Sequence, residues 1–148
     1  MNIYSWNVNG IRSALKKGFE EWFANTAPDI LCLQEVRAEE DQVPDTLRNP
    51  EGYFTYWNAC KRKKGYSGVA VYSRIEPDMV NYGFDIDEFD EEGRVLQLVF
   101  PDWVLNSIYF PNGGSGDDRL DYKLRFYDAF LENSLRWLAN GKHVLTVG

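Results

Sequence analysis

Short apolar runs bounded by turn residues predict that much of this chain folds into β-strands. The run from Asn2 to Val8 alternates apolar and polar positions and stops at Asn9-Gly10, a typical turn pair. The run from Ile30 to Leu33 is apolar throughout, as in a strand covered on both faces, and it ends abruptly in Gln34-Glu35. We therefore expect Glu35 at the end of a central strand. Further strands are predicted at Tyr53 to Trp57, Val69 to Tyr72, Arg94 to Phe100, Val104 to Phe110 and Val144 to Val147.

Two segments carry apolar residues at the three- and four-residue spacing that is typical of a helix. The first runs from Arg12 to about Thr26, and we expect its single apolar stripe to be buried. The second runs from Asp117 to Asn140 and is followed by Gly141, a residue that commonly ends helices. The apolar positions of this second helix are Leu120, Leu124, Tyr127, Phe130, Leu131, Leu135 and Leu138.

The order of these elements favours a layered α/β or α+β domain with mixed sheets. Residues 36–52 are charged and contain two prolines, so a loop or one broken helix is expected there. A length of 148 residues with 44% hydrophobic and 16% aromatic content is typical of one globular domain with a substantial core.

No apolar run approaches the ~18 residues of a membrane-spanning helix, and the N-terminal residues resemble a strand rather than a signal peptide. The two cysteines lack the even framework of secreted domains, and we expect both to be reduced thiols. These features favour a cytoplasmic protein without a membrane partner.

The net charge of -7 argues against nucleic-acid binding, but the charges are unevenly distributed. Arg12, Lys16 and Lys17 cluster near the start and Lys61 to Lys64 in the middle, while acidic residues concentrate between Asp85 and Glu92. A polyanion could therefore bind one face and avoid another. Ordinary solvated loops would give the same pattern, so charge alone leaves both interpretations open.

Polar residues at three strand ends are candidates for chemistry. Glu35 follows a buried strand, where open α/β folds place ligands, and its carboxylate suits a hard cation such as Mg²⁺. Asn7 and Asn9 end the first strand, and Tyr109 ends a later one. Each has a simpler alternative: an ion-paired or solvated Glu, turn-forming Asn residues and a packed Tyr. Their joint occurrence favours a shared site.

Five motifs, in this order, resemble the exodeoxyribonuclease III family of apurinic/apyrimidinic endonucleases. They are Ser5-Trp6-Asn7-Val8-Asn9-Gly10-Ile11-Arg12, Pro28-Asp29-Ile30-Leu31-Cys32-Leu33-Gln34-Glu35, Gly65-Tyr66-Ser67-Gly68-Val69, Glu92-Gly93-Arg94-Val95 and Tyr109-Phe110-Pro111-Asn112. The resemblance extends from Asn2 to Gly148, and it implies a protein that is nucleoid-associated in a bacterium or nuclear in a eukaryote. It implies a four-layer α/β sandwich of two mixed sheets flanked by helices, the DNase I-like fold, and hydrolysis of the phosphodiester 5′ of abasic sites in double-stranded DNA, with 3′-5′ exonuclease activity as a further expectation.

The resemblance also implies roles for individual residues. Glu35 holds Mg²⁺, with Mn²⁺ as a substitute, Asn7 helps to organise the metal and catalytic site, and Tyr109 contacts the scissile phosphate. Asn9 stands where some relatives carry an Asp at the metal. The residues that match positions facing the DNA backbone, or supporting that surface, are Asn9, Arg12, Tyr66, Arg94, Asn112 and Arg119.

The sequence departs from the family pattern at its end. A Gly-Asp-x-Asn motif would begin at Gly148, and its Asp, a later Asp and a terminal Asp-His pair have no counterpart. The single histidine, His143, is interpreted as structural. We therefore expect residues 1–148 to be the N-terminal portion of one domain, without a second sheet and nearly inactive alone, with the missing half as a potential second chain. The alternatives are a non-catalytic half that binds DNA or a complementary chain, and a phosphatase or phospholipase of the same fold.

Overall fold

Two four-stranded mixed sheets lie face to face in the computed structural model, which describes residues 1–148. The first sheet has the order β1-β2-β4-β3 and the second the order β5-β6-β7-β8. The strands are β1 (Ile3–Asn7), β2 (Ile30–Gln34), β3 (Phe54–Asn58), β4 (Val69–Ser73), β5 (Met79–Asn81), β6 (Val95–Val99), β7 (Trp103–Ile108) and β8 (His143–Val147). The helices are α1 (Ile11–Lys16), α2 (Phe19–Thr26), α3 (Asp45–Arg48), α4 (Asp87–Asp90) and α5 (Asp117–Ala139), with a 3₁₀ turn at Glu40–Gln42.

The continuously apolar β2 is buried on both faces, as its sequence predicts. Leu31 and Leu33 pack into a core beneath α1 and α2, whereas Ile30 and Cys32 pack into a second core between the sheets. A third core, which includes Phe126, joins α5 to the second sheet. Helices therefore cover the outer faces of two packed sheets, and the four-layer expectation is confirmed. The expectation that the second sheet would be missing is wrong.

The helix predicted from Arg12 to Thr26 is two helices, because the chain turns at Gly18 between α1 and α2. Gly18 has φ 92° in the left-handed region, which is accessible to glycine because it has no Cβ. Strand β5 and the short acidic helix α4 are further elements that the apolar pattern did not predict. No helix in the structure combines the length and apolar character required to cross a membrane.

Helix α5 has the predicted span, but its leucine stripe faces away from the sheets. Its buried positions are Tyr122, Phe126, Ala129 and Ser134. A polar network beneath the helix fixes this orientation: the Gln97 side chain donates to Asn106 and Asn133 at 2.7 Å each and accepts from the Trp137 indole at 2.9 Å. The large apolar residues of α5 that are exposed are Leu120, Leu124, Tyr127, Leu131, Leu135 and Leu138.

Strand directions in the first sheet bring three loops to one edge. Strand β1 is parallel to β2, so Asn7 pairs with Gln34 and both strands end together. Strand β4 is antiparallel to β2, so its first residue, Val69, also pairs with Gln34. The loops that follow β1 and β2 and the loop that precedes β4 therefore meet beside Glu35.

Candidate functional site

Backbone hydrogen bonds connect the loops around Glu35. The Gly10 amide donates to the Glu35 carbonyl at 2.8 Å, and the Arg37 amide donates to the Ser67 carbonyl at 2.8 Å. One segment from each loop is thus tied to its neighbour. The carboxylate at the end of β2 is held by three connected loops rather than by a free strand end.

Backbone strain is concentrated at the same edge. Asn9, Glu35, Arg37 and Ser67 have φ values of 47°, 55°, 53° and 52°, which are uncommon for residues that carry a Cβ. Such conformations cost about 1–3 kcal/mol each and cluster at functional sites, where the surroundings enforce them. The left-handed turn at Glu35 lets the main chain leave the strand at once and redirects its side chain.

Glu35 and Tyr109 come together from different sheets. The Glu35 side chain is only 14% exposed and is ion-paired with the Arg37 guanidinium. Burial raises the pKa of the Tyr109 phenol, and the negative charge of the neighbouring Glu35 raises it further. Tyr109 therefore keeps its proton at neutral pH and can donate a hydrogen bond to an anion placed beside Glu35.

The amide side chains of the first strand end lie at the same edge but are exposed. The Asn7 side-chain oxygen accepts a hydrogen bond from the Asn9 amide at 3.0 Å, which shapes the turn before Gly10. Asn7 is opposite Gln34, the residue before Glu35, so it lies one position from Glu35 in the register of the two strands. The metal and catalytic roles expected of Asn7 stay predictions.

The site offers a magnesium ion one carboxylate ligand, that of Glu35. No group of three or more His, Cys, Asp or Glu side chains comes together anywhere in the structure. Mg²⁺ is commonly bound by one or two carboxylates, with water and substrate phosphate as the other ligands. Glu35, with its partly exposed carboxylate, fits such a site, and Arg37 is the cation that a metal would have to displace.

A basic groove adjoins Glu35. It has a volume of about 520 Å³ and no apolar side chain in its lining, which comprises Gly10, Arg12, Ser13, Lys16, Arg37 and Gly65. Arg12 is exposed and donates to the Arg37 main-chain carbonyl at 3.4 Å, and both residues line the groove. The DNA contact expected of Arg12 stays a prediction. Arg37 was missed by sequence reasoning, although its position two residues after Glu35 was a signal.

Arg94 lies beneath the surface rather than on it. Its side chain is 1% exposed and is paired with Glu92 at 2.6 Å. Both terminal nitrogens of Arg119 also donate to Glu92, at 2.8 and 3.1 Å. Of the two roles that the resemblance allows for Arg94, the geometry fits support of the surface rather than direct contact with phosphate. Arg119 is partly exposed, and its DNA contact stays a prediction.

The remaining predicted positions surround Tyr109. Tyr66 is half-buried, and its hydroxyl accepts a hydrogen bond from Arg94 at 2.8 Å. Asn112 is exposed, and its side-chain oxygen accepts a hydrogen bond from the Gly114 amide at 2.8 Å. Both residues flank the face on which Tyr109 lies, and their DNA contacts stay predictions.

His143 is remote from this site. It pairs with Trp103 at the start of β7, six residues before Tyr109, which corresponds to about 20 Å along a strand. Its structural interpretation agrees with this position.

Comparison with known proteins places the chain among nucleases and phosphatases. A sequence profile described as the Endonuclease/Exonuclease/phosphatase family matches residues 4–148. An exodeoxyribonuclease of Bacillus subtilis (strain 168) is 40% identical over 149 residues, which cover 100% of this chain and 57% of that protein. The DNA repair nuclease APEX1 of Danio rerio is 45% identical over 124 residues, 83% of this chain and 40% of that protein. The chain thus spans about half the length of these curated relatives.

Solved structures agree on the fold. A 3′-5′ exonuclease from Neisseria meningitidis superimposes with a TM-score of 0.84 at 27% identity, covering 100% of this chain and 57% of that one. The catalytic domain of Xenopus laevis APE2 gives a TM-score of 0.84 at 28% identity, again covering 100% and 57%.

Proposed function

This chain belongs to the endonuclease/exonuclease/phosphatase family, and on that premise we propose that it forms the N-terminal portion of a Mg²⁺-dependent DNA repair nuclease. The proposed reaction is hydrolysis of the phosphodiester on the 5′ side of an abasic site in double-stranded DNA, with 3′-5′ exonuclease activity at strand ends. The observation that carries the proposal is the placement of Glu35 and Tyr109 together, beside a basic groove.

Each part of this arrangement has a defined task in phosphodiester hydrolysis. Arg12, Lys16 and Arg37 attract the DNA backbone through its phosphates. The protonated Tyr109 phenol donates a hydrogen bond to a phosphate oxygen and stabilises the charge that develops there. Glu35, with Asn7 beside it, would hold the divalent cation. When bound, that cation supplies charge neutralisation at the phosphate and orients water.

We propose DNA rather than another phosphate ester as the substrate for two reasons, the identity of the relatives and the lining of the groove. The exodeoxyribonuclease of Bacillus subtilis and the APEX1 nuclease of Danio rerio are the relatives at 40% and 45% identity. The groove beside Glu35 is open and lined without apolar side chains, which suits a phosphodiester backbone better than a lipid. A related solved structure is that of a 3′ phosphatase from Neisseria bound to a product DNA hairpin, which favours activity at 3′ ends as the second candidate.

Efficient turnover also requires a group that activates the attacking water, and Glu35, Asn7 and Tyr109 do not supply one. We propose that a further part of the same domain, carried on the same chain or on a second one, provides this group. Loss of one member of such a catalytic unit costs orders of magnitude in rate. The 148 residues alone are expected to bind DNA with little cleavage.

The test measures binding and cleavage separately. The protein, together with the part proposed to complete its domain, is titrated onto fluorescent duplexes with one abasic site, with no lesion, or with a 3′ phosphate, and the same duplexes are then followed for cleavage with Mg²⁺ and with chelator. Chelator-sensitive incision 5′ of the abasic site supports the proposed nuclease. Abasic-site binding without incision favours the non-catalytic half. Chelator-resistant incision, or no preference for any of the duplexes, refutes the proposal.

A further inference from the structure

Glu92 and Arg94 are the only charged residues that are buried in this structure, and the chemistry proposed above uses neither. Burying charges is costly, and an apolar pair of similar volume often stabilises a fold as well. The position of this pair therefore requires an explanation beyond packing. Arg94 uses each of its three guanidinium nitrogens for a different partner.

The main chain of Tyr109 is one of those partners. Strand β7 ends at Ile108, yet the Tyr109 amide still donates to the Arg94 carbonyl at 2.8 Å. The Arg94 Nη1 donates in return to the Tyr109 carbonyl at 3.0 Å. Both polar backbone groups of Tyr109 are thus bonded to the same residue, which extends the pairing of β6 and β7 by one position beyond the strand.

Tyr66 is the second partner. Arg94 Nη2 donates to the Tyr66 hydroxyl at 2.8 Å, and the guanidinium carbon lies 5.5 Å from the Tyr66 ring centre and 5.0 Å from the Tyr109 ring centre. The guanidinium therefore lies between two phenols that come from different sheets. A single planar group sets the distance between the loop before β4 and the end of β7.

Glu92 completes the arrangement from the other side. Its carboxylate accepts from Arg94 Nε at 2.6 Å and from both terminal nitrogens of Arg119, which belongs to α5. Arg119 in turn lies 4.1 Å above the centre of the Tyr122 ring. Helix α5 is thereby connected through two ion pairs to the residue that positions Tyr109.

We propose that Arg94 is a positioning residue: held by Glu92 and Arg119, it fixes the Tyr109 main chain and the Tyr66 hydroxyl so that both phenols face the Glu35 site in one geometry. This inference rests on the proposed function, in which Tyr109 contacts a phosphate. A misplacement of about 1 Å at such a contact can lower a rate by two orders of magnitude. The pair thus has a role in the geometry of the site in addition to its part in stability.

The test compares Arg94→Lys with Arg125→Lys. Lysine keeps the charge but has one nitrogen, so it cannot serve Glu92, Tyr109 and Tyr66 together. Arg125 is the matched control, because it is an arginine held by carboxylates, those of Glu88 and Asp121, but on the exposed face of α5. The first measurement is NMR of ring-labelled tyrosine, with Tyr66 and Tyr109 assigned from Tyr→Phe variants. The second is kcat and KM on abasic duplex, measured with the part proposed to complete the domain present, and the third is unfolding in urea.

In Arg94→Lys the ring signals of Tyr66 and Tyr109 should shift or broaden, and kcat should fall by about tenfold or more while KM changes little. Arg125→Lys should leave both unchanged. If Arg94→Lys does not fold, Arg119→Gln serves instead, since Arg119 is partly exposed and its loss releases one side of Glu92; the same two ring signals should move. The inference is overturned if a folded variant leaves the ring signals of Tyr66 and Tyr109 unchanged. It is also overturned if the loss of kcat is fully explained by the fraction of unfolded protein.

The NMR measurement needs no DNA and separates this inference from the proposed function. In one outcome, the ring signals shift in Arg94→Lys but the wild-type protein neither binds nor cuts abasic DNA. Arg94 would then still be a positioning residue, and the proposed nuclease function would be refuted. An active wild-type enzyme with unmoved rings in Arg94→Lys would refute the positioning role alone.

Discussion

The guanidinium of Arg37 is ion-paired with the carboxylate of Glu35, two residues before it in the same strained loop. The carboxylate that the family resemblance assigns to a divalent cation thus already carries a cation from its own chain. Because Glu35 is mostly buried and Arg37 about half exposed, the arginine can leave the pair without exposing apolar surface. On the proposed function, a divalent cation at Glu35 would therefore compete with the Arg37 guanidinium.

Arg37→Gln should tighten divalent metal binding, because Mg²⁺ or Mn²⁺ would no longer displace a paired cation. A partly exposed ion pair contributes about 0.2–1 kcal/mol, so the dissociation constant should fall by a factor of about 1.4 to 5. Calorimetric titration with Mg²⁺ and Mn²⁺ measures the change. Arg136→Gln, which removes an exposed arginine paired with Glu132 on α5, should leave the constant unaltered. Unchanged or weaker binding in Arg37→Gln would show that Arg37 does not compete with the metal.

Glu35→Gln should weaken metal binding with little loss of fold, because the amide keeps the shape of the side chain and removes its charge. The pKa of the Tyr109 phenol should fall in this variant: its burial, the larger cause of the raised value, persists, but the neighbouring negative charge is lost. Calorimetry and tyrosine NMR titration measure the two effects. Glu51→Gln, at an exposed turn, is the control. Equal metal affinity in Glu35→Gln and wild type would refute Glu35 as the ligand.

The two faces of α5 should respond differently to truncation. Phe126 is fully buried against the second sheet, and Phe126→Ala should cost about 3–5 kcal/mol of unfolding free energy. Leu124 and Leu131 are 54% and 55% exposed, so Leu124→Ala and Leu131→Ala should each change it by about 0.5 kcal/mol or less. Urea denaturation of the isolated chain compares them. Comparable losses on both faces would mean that the leucine stripe is buried in solution.

Helix α5 also shows where sequence reasoning stops. Apolar residues recur at helical spacing along two stripes, and spacing alone does not say which one meets the sheet. The choice depends on the hydrogen bond between Trp137 and Gln97, two residues distant in sequence. This bond holds the other face of the helix against the sheet. The end of β2 was easier to predict: a fully apolar run that stops at Gln34-Glu35 fixes both a central strand and a carboxylate at its edge.

The same distinction applies to the site. Glu35, Asn7 and Tyr109 could be proposed from strand ends and motifs, because those depend on local pattern. The roles of Arg37 and Arg94 could not be predicted from the sequence. A basic residue near a motif suggests a phosphate contact, and the sequence does not say whether that residue is exposed or buried. Only three-dimensional pairing shows that Arg94 is committed to Glu92, Tyr66 and Tyr109.

Stability at acid pH should depend on Glu92. Burial pushes the pKa of this carboxyl upward, but hydrogen bonds from Arg119 and Arg94 outweigh that effect, and the pKa lies below its ordinary value. A carboxyl whose pKa is lower in the folded than in the unfolded protein stabilises the fold at any pH above the unfolded value of about 4.3. That contribution is lost as the pH falls through the folded pKa.

Unfolding free energies measured in urea between pH 2 and pH 7 should therefore decline below about pH 4.3, and Glu92→Gln should remove part of that decline. At pH 7 the same variant should be less stable by a few kcal/mol, on the order expected for breaking a buried ion pair, because Arg94 keeps a buried charge without its carboxylate. Glu88→Gln is the comparison: hydrogen bonds from Arg125 also lower the pKa of Glu88, but this pair is exposed and solvent screens it. Equal pH profiles for wild type and Glu92→Gln would mean that Glu92 is not ionised in the folded protein, and Arg94 would then need another anion to hold it in place.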